Sequence, residues 1–178
     1  MKIAVASDIH GSYPAAEAFF YLAEKCGAEK YILLGDLYYH GIRNPLPEGY
    51  APLKVAELLN EKADRLLVVK GNCDSDVDQT VSNFTFAPFL EVEEGGKKIF
   101  CTHGDHYDPE HLPKGKYDLF LYGHFHTGLI EKRGDLIIAN PGSLSLPKGG
   151  TEASFLLLDE DKLTLFSLSG KPLREIAL

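Results

Sequence analysis

The chain has 178 residues, 44% of them hydrophobic and 25% charged, a balance that suits one globular domain with a core large enough to need no disulfide staples. Its formal net charge of −8 argues against broad attraction to nucleic acid or anionic membrane, although bound metal ions would make a local positive site without entering that count. The three Cys, at positions 26, 73 and 101, show no repeated spacing and imply no disulfide framework, so a reducing cytoplasm is the expected setting. The N-terminus, MKIAVASDIHG, reaches a carboxylate and a histidine too early for a signal peptide, and no apolar run approaches the ~18 residues of a membrane span.

In chain order, residues 3–6 read as a short central strand that SDIHG breaks. Pro14 suits the first turn of a helix, and AAEAFFYLAEKCG continues with helix formers to a stop at Gly27. YILLGD is a second strand and its exit. PLKVAELLNEKAD repeats the helix pattern with Pro early, and RLLVVKGN is a third strand. Strands alternating with helices predict βαβαβ, a parallel sheet with helices packed on it. Between the second strand and second helix, residues 37–52 carry three Pro and two Gly and form no regular element. A loop of that length, leaving directly from Gly35–Asp36, is expected to overhang Asp36.

The second half changes character. FLEVEEGGKKIFCTHG predicts two strands turning at Gly95–Gly96, and DLFLYGH a short apolar strand. GLIEKRGDLIIANPGS predicts a hairpin turning at Arg133–Gly134, and ASFLLLDEDKLTLFSL another turning near Asp159–Asp161. Short connections make these strands mostly antiparallel. The fold class expected is α/β: a two-sheet mixed β-sandwich flanked by helices, in a single domain spanning 1–178.

The polar residues that follow the apolar strands carry the chemistry. SDIH supplies Asp8 and His10, LLGD Asp36, VKGN Asn72, FCTHG His103, and LYGHFH His124 and His126. In extended backbone, residues i and i+2 point to one side, so each of the pairs Asp8/His10 and His124/His126 would aim at one spot. Ligands of open α/β sheets bind at the carboxyl ends of strands. Imidazole and carboxylate together suit borderline divalent ions such as Mn, Fe, Zn or Ni. Seven ligands are too many for one such ion and about right for two sharing a carboxylate, and Asp36 is the natural bridge. Any one of these motifs alone is an ordinary turn; the ordered set of five is the signal.

That set, SDIHG (7–11), GD (35–36), GNCD (71–74), THG (102–104) and YGHFH (122–126), resembles the calcineurin-like metallophosphoesterase superfamily along the length of the chain. NPLPEGYAPLKVAELLNEKAD, GNCDSDVDQ and NPGSLSLPKGG are similar to a small bacterial phosphodiesterase branch of it. The resemblance implies a four-layer αββα fold. It also implies one ion held by Asp8, His10, Asp36 and His126 and another by Asp36, Asn72, His103 and His124, with Mn2+ the first metal to test. Hydrolysis would proceed by in-line attack of a hydroxide held between the ions on a small-molecule phosphodiester. Asn72, Cys73, Asp74 and His124 are then the candidate catalytic group, with Asp74 orienting its neighbours.

Many members of the superfamily carry His where this chain has Cys73. A thiol beside two cations is expected to have a lowered pKa and to be a poor acid, which predicts faster cleavage of aryl than of alkyl diesters; the alternative for Cys73 is a small, half-buried filler. His40, Arg43 and Asn44 in the long loop and Ser143 in NPGS are candidate substrate contacts, against the alternative of loop rigidity set by Pro45, Pro47 and Pro141. His106 and His111 are expected in a solvated loop, with a phosphate contact open to His106. Rival readings are a phosphomonoesterase or a nuclease of the same superfamily. Another is a non-catalytic scaffold, since a retromer subunit resembles the fold. No dedicated nucleic-acid-binding region and no membrane partner are expected. Apolar hairpin strands near the C-terminus would suit pairing into a homodimer or larger assembly.

Overall fold

The computed structural model describes residues 1–178. Its elements run β1 (Ile3–Ala6), α1 (Tyr13–Lys25), β2 (Lys30–Leu33), α2 (Pro52–Asn60), β3 (Leu66–Val69), β4 (Phe86–Ala87), β5 (Leu90–Glu94), β6 (Lys97–Thr102), β7 (Leu119–Tyr122), β8 (Leu129–Arg133), β9 (Leu136–Asn140), β10 (Ser154–Leu158), β11 (Lys162–Ser167) and β12 (Pro172–Ala177). The strands form a seven-stranded sheet in the order β12-β11-β10-β1-β2-β3-β4 and a five-stranded sheet in the order β5-β6-β7-β9-β8. This is the two-sheet α/β sandwich expected from the strand and helix pattern.

Each layer follows from its side chains. Ser12 caps α1, accepting a hydrogen bond from the Ala15 N–H, and Gly27 follows the helix at φ 82°. The helix turns Ala16, Phe19, Phe20 and Ala23 inward, a spacing that gives one apolar face. That face and the buried Val55, Ala56 and Leu59 of α2 pack on the outer side of the larger sheet, around Tyr31, Leu33 and Phe155. Between the sheets lies a second apolar layer, with Val5, Ile32, Leu34 and Leu156 from one sheet and Ile99, Leu121 and Ile137 from the other. The outer side of the smaller sheet carries aromatic residues, Phe100, Phe120 and Tyr122, covered by Tyr107 and Tyr117 from the segment that connects β6 to β7. That segment contains no α-helix. No helix is long and apolar enough to cross a membrane.

The βαβαβ start is parallel, β1 beside β2 and β2 beside β3. The second half is mostly antiparallel, as expected, with one parallel run inside it. The hairpins β5–β6, β8–β9 and β10–β11 are antiparallel, but β6, β7 and β9 run parallel to one another. The reason is connection length: the chain spends residues 103–118 crossing from β6 to β7, and β8 lies at the sheet edge so that β9 returns beside β7. β4 and β12 escape the sequence reading because each is short or half-exposed; β12 has only two partly buried side chains, Leu173 and Ile176. The consequence for the site is directional. The carboxyl ends of β1, β2, β3, β6 and β7 open on the same rim.

Candidate metal centre

The seven polar residues at the strand exits converge on that rim. Asp8 Oδ1 lies 3.5 Å from His10 Nε2 and 3.1 Å from His126 Nε2. Asp36 Oδ2 stands between two histidines, 3.7 Å from His10 Nε2 and 3.4 Å from His103 Nε2. Asn72 Oδ1 is 2.9 Å from His103 Nε2, and His124 Nδ1 is 3.2 Å from that same nitrogen. Asp8, His10, Asp36, His103 and His126 are buried, whereas Asn72 and His124 face the cleft.

The convergence does not come from extended backbone, as the i, i+2 argument assumes. Asp8, His10, Asp36, His124 and His126 all have positive φ, between 49° and 67°, and they are the only non-glycine residues in the chain that do. The left-handed region costs a side-chain-bearing residue about 1–2 kcal/mol, so the surrounding contacts must hold each one there. Asp74 does this for Asp36. Its buried carboxylate accepts hydrogen bonds from the backbone N–H groups of Asp36 (2.8 Å), Leu37 (2.8 Å) and Gly71 (2.7 Å), tying the exit of β2 to that of β3. The strand exits touch so closely that a Cβ on Gly71 would collide with Asp36, and one on Gly123 with Ser7. Ser143 acts similarly on Asp8: its hydroxyl donates to the Asp8 carbonyl at 2.7 Å and accepts from the Leu146 N–H at 2.9 Å.

The donor set fits divalent cations on the evidence of its hydrogen bonds. Three imidazoles place Nδ1 against a backbone carbonyl: His10 on Tyr39 (2.8 Å), His103 on Leu34 (2.7 Å) and His126 on Leu146 (2.7 Å). A carbonyl oxygen only accepts, so Nδ1 carries the proton and, in the neutral ring, Nε2 presents its lone pair inward. The Nε2 atoms of His10 and His126 then face each other at 3.2 Å, two lone pairs that need a proton or a cation between them. Asp8 Oδ2 is satisfied by the Ser7 hydroxyl (2.6 Å) and the His124 N–H (3.0 Å), but its Oδ1 is buried without a hydrogen-bond partner. A buried, unpaired carboxylate oxygen beside inward-facing imidazole lone pairs is costly unless a cation sits there.

The carboxylates and imidazoles also shift one another's titration. Burial works to raise the Asp8 carboxyl, but His10 and His126 overcome it and hold the group well below the ordinary carboxylate range. Burial likewise works against the charged form of His103, yet the Asp36 and Asp8 carboxylates push it up to about 10. Burial and repulsion by His103 lower His124. Burial and the Asp36 charge raise Asp74 to about 6, with the three backbone N–H groups pulling the other way. The protein groups around Cys73 work against the lowering that two bound cations are expected to cause. Burial and then the Asp36 carboxylate push the thiol up to about 12.

A cleft of about 590 Å³ opens over this rim. Arg43 and Asn44 of the long loop line it, as do Cys73 and Asp74. His40 does not; its ring packs against Tyr39 and Tyr50 instead. Ser143 is fully buried beneath Asp8, which makes it a brace and no wall of the cleft. His106 is 85% exposed beside Asp105, and His111 pairs with Asp108; neither lines the cleft. Sequence reasoning missed Lys148, Tyr39 and Ile42, which do line it. The only signal for Lys148 was its place in SLPKGG, a few residues beyond NPGS.

A sandwich with imidazoles and carboxylates gathered at the strand exits defines the metal-dependent phosphoesterases as a class. Residues 1–163 match the family model described as the calcineurin-like phosphoesterase superfamily domain. The chain belongs to that superfamily, a family of hydrolases. It is 48% identical over 171 residues to Phosphodiesterase YfcE of Escherichia coli strain K12, covering 95% of this chain and 93% of that protein. The solved structure of the E. coli YfcE phosphoesterase superposes with a TM-score of 0.96 at 45% identity, over 99% of each chain. Vacuolar Protein Sorting 29 from Cryptosporidium parvum shares the fold, with a TM-score of 0.69 at 20% identity over 99% of this chain and 98% of that one.

Proposed function

We propose that residues 1–178 act as one domain, a dinuclear metal-dependent phosphodiesterase of small-molecule phosphodiesters. The observation that carries the metal reading is the buried, unpartnered Asp8 Oδ1 facing inward-turned imidazole nitrogens; the diester preference is supported by the likeness to a named phosphodiesterase. Asp8, His10, Asp36 and His126 would hold one ion, and Asp36, Asn72, His103 and His124 the other. The borderline donor set suits Mn2+ first, with Fe, Zn or Ni as alternatives. Once bound, such a pair supplies Lewis acidity and an activated water.

The chain's own residues do the rest. Asp74 and Ser143 keep Asp36 and Asp8 in geometries that would otherwise relax. The cleft-facing Asn72 and His124 orient the phosphoryl group against the rim. Cys73 lines the cleft; it donates its backbone N–H to Asp36 Oδ1 at 2.8 Å, and its sulfur accepts from the Asn72 amide at 3.5 Å. An S–H is a weak hydrogen-bond donor, so departure of the alcohol leans on the alcohol's own stability, and aryl diesters are expected to react faster than alkyl ones. A steep dependence of rate on leaving-group pKa checks this; a flat one overturns it.

The founding test is hydrolysis of bis-p-nitrophenyl phosphate with added Mn2+, abolished by chelator and by Asp36→Asn. No turnover with any divalent ion would favour the scaffold reading. Arg43 and Lys148 in the cleft favour one alternative, a phosphomonoesterase, because a monoester brings an extra negative charge; relative rates on p-nitrophenyl phosphate decide it. Three free thiols suit a cytoplasmic setting. Self-association through the exposed edge strand β12 belongs to the same proposal and is checked by light scattering.

A further inference from the structure

The cleft holds two cations for which the metal centre has no use. Arg43 stands on the lip formed by residues 37–52 and Lys148 on the segment after β9, and both line the cleft whose floor is Asp36, Asn72, His124 and His126. Neither takes part in any of the chain's ion pairs. In a chain of net charge −8, whose overall field repels anions, two free cations at one mouth form a local attractive site.

Lys148 is held in place. Its backbone N–H donates to the His126 carbonyl at 2.9 Å, and its own carbonyl accepts from the N–H (3.1 Å) and hydroxyl (2.8 Å) of Thr151. Its ammonium reaches across the mouth to Asn44 Oδ1 at 3.4 Å, while the Asn44 amide donates to the His40 carbonyl at 2.8 Å. The lip itself is pressed against the floor. A Cβ on Gly41 would stand 3.2 Å from Cys73 Sγ and 3.0 Å from Asn44 Nδ2. The cleft is roomy enough for a nucleotide-sized ligand, beyond what a bare phosphoryl group needs. On the same lip, Tyr39 and the 88% exposed Ile42 offer apolar surface to an organic arm.

We propose that Arg43 and Lys148 form a second anion subsite, so that the favoured substrate is a phosphodiester whose organic arm carries a further phosphate group. Arg supplies a planar fork and Lys a point charge, a pairing suited to phosphate oxygens. The proposal rests on the phosphodiesterase reading.

The test uses the full, Mn2+-loaded chain and two substrates with one leaving group: thymidine 5′-(p-nitrophenyl phosphate) with and without a 3′-phosphate. The 3′-phosphorylated compound is expected to have a kcat/KM at least about tenfold higher, the scale of paired charge-assisted hydrogen bonds. That ratio falls toward one in Lys148→Met and in Arg43→Met, and it shrinks in 0.5 M salt, a range on the order of strong screening. Equal rates in the wild type, or an unchanged ratio in both variants, overturn the subsite. So does loss of p-nitrophenyl phosphate turnover in the variants with the ratio intact, because the cations then serve the reacting phosphoryl group. Calorimetry separates this from the parent reading. If no diester turns over, the phosphodiesterase assignment fails. The subsite still stands if adenosine 3′,5′-bisphosphate binds about tenfold tighter than adenosine 5′-monophosphate to the wild type only, and it falls if the two affinities match.

Discussion

Asp36 shows how much of the site is decided at single residues. Its backbone is left-handed at φ 57°, its Oδ1 accepts the Cys73 N–H, and its Oδ2 lies between two imidazoles. Asp74 braces that backbone, its two oxygens satisfying three buried N–H groups. Leaving buried donors unpaired costs about 1–3 kcal/mol for each group, so Asp74→Ala should destabilise the protein by at least ~2 kcal/mol, read from urea unfolding. The isosteric Asp74→Asn should keep the fold but weaken metal binding roughly 10- to 100-fold, as substitutions behind metal ligands do; a metal titration that leaves affinity unchanged would refute the bracing role. Legibility at this scale is uneven. GNCD was readable as a strand exit, because an apolar run ending in an amide and a carboxylate needs a partner. The left-handed φ values were not, because hydrogen bonds that hold them join residues far apart in the chain, 135 positions from the Ser143 hydroxyl to the Asp8 carbonyl.

At the scale of elements, the helices fix the floor beneath the site. Phe19 of α1 is fully buried against Phe20, Tyr31 and Phe155, a cluster that seats the helix on the sheet whose strand exits carry Asp8 and Asp36. Truncating such a side chain removes burial and leaves a cavity, so Phe19→Ala is expected to cost about 3–5 kcal/mol in thermal or denaturant unfolding. The same helix is tied to the turn before β3 by Glu24, which pairs with Lys62 at 2.6 Å and Arg65 at 3.5 Å. Lys62 holds the Glu24 carboxyl below its ordinary value of 4.5. A depressed carboxylate contributes stability above its unfolded pKa and loses it as pH falls through the folded one. The pair is solvent-screened, so Glu24→Gln should cost under ~1 kcal/mol at pH 7. That difference should vanish in acid below the folded pKa; melting curves at both pH values check it. The element pattern itself was largely readable, since α1 and the βαβαβ run carry caps, prolines and periodic apolar residues. β12 was not, because Pro172, Arg174 and Glu175 give it no strand signature and its pairing with β11 supplies the order.

For the molecule as a whole, the proposed metal centre at the strand exits predicts that stability depends on cations. Ions that bind only the folded chain stabilise it by about 2.7 kcal/mol at a hundredfold excess over Kd. Mn2+ should therefore raise the unfolding midpoint, and chelator should lower it, with the shift absent in Asp36→Asn. An equal response in wild type and variant would place the ions elsewhere. The apolar layer between the two sheets holds the carboxyl ends of five strands on one rim, which turns scattered motifs into a single centre. The amino-acid sequence by itself determined the alternation of strand and helix, the two-sheet α/β class and the identity of the polar residues at each exit, because these are local patterns of apolar periodicity and its interruption. The tertiary structure alone decided the parallel run β6–β7–β9, the left-handed backbone of five donor residues and the meeting of Lys148 with Asn44 across the cleft. Those depend on contacts between residues far apart in the chain, which no local pattern encodes.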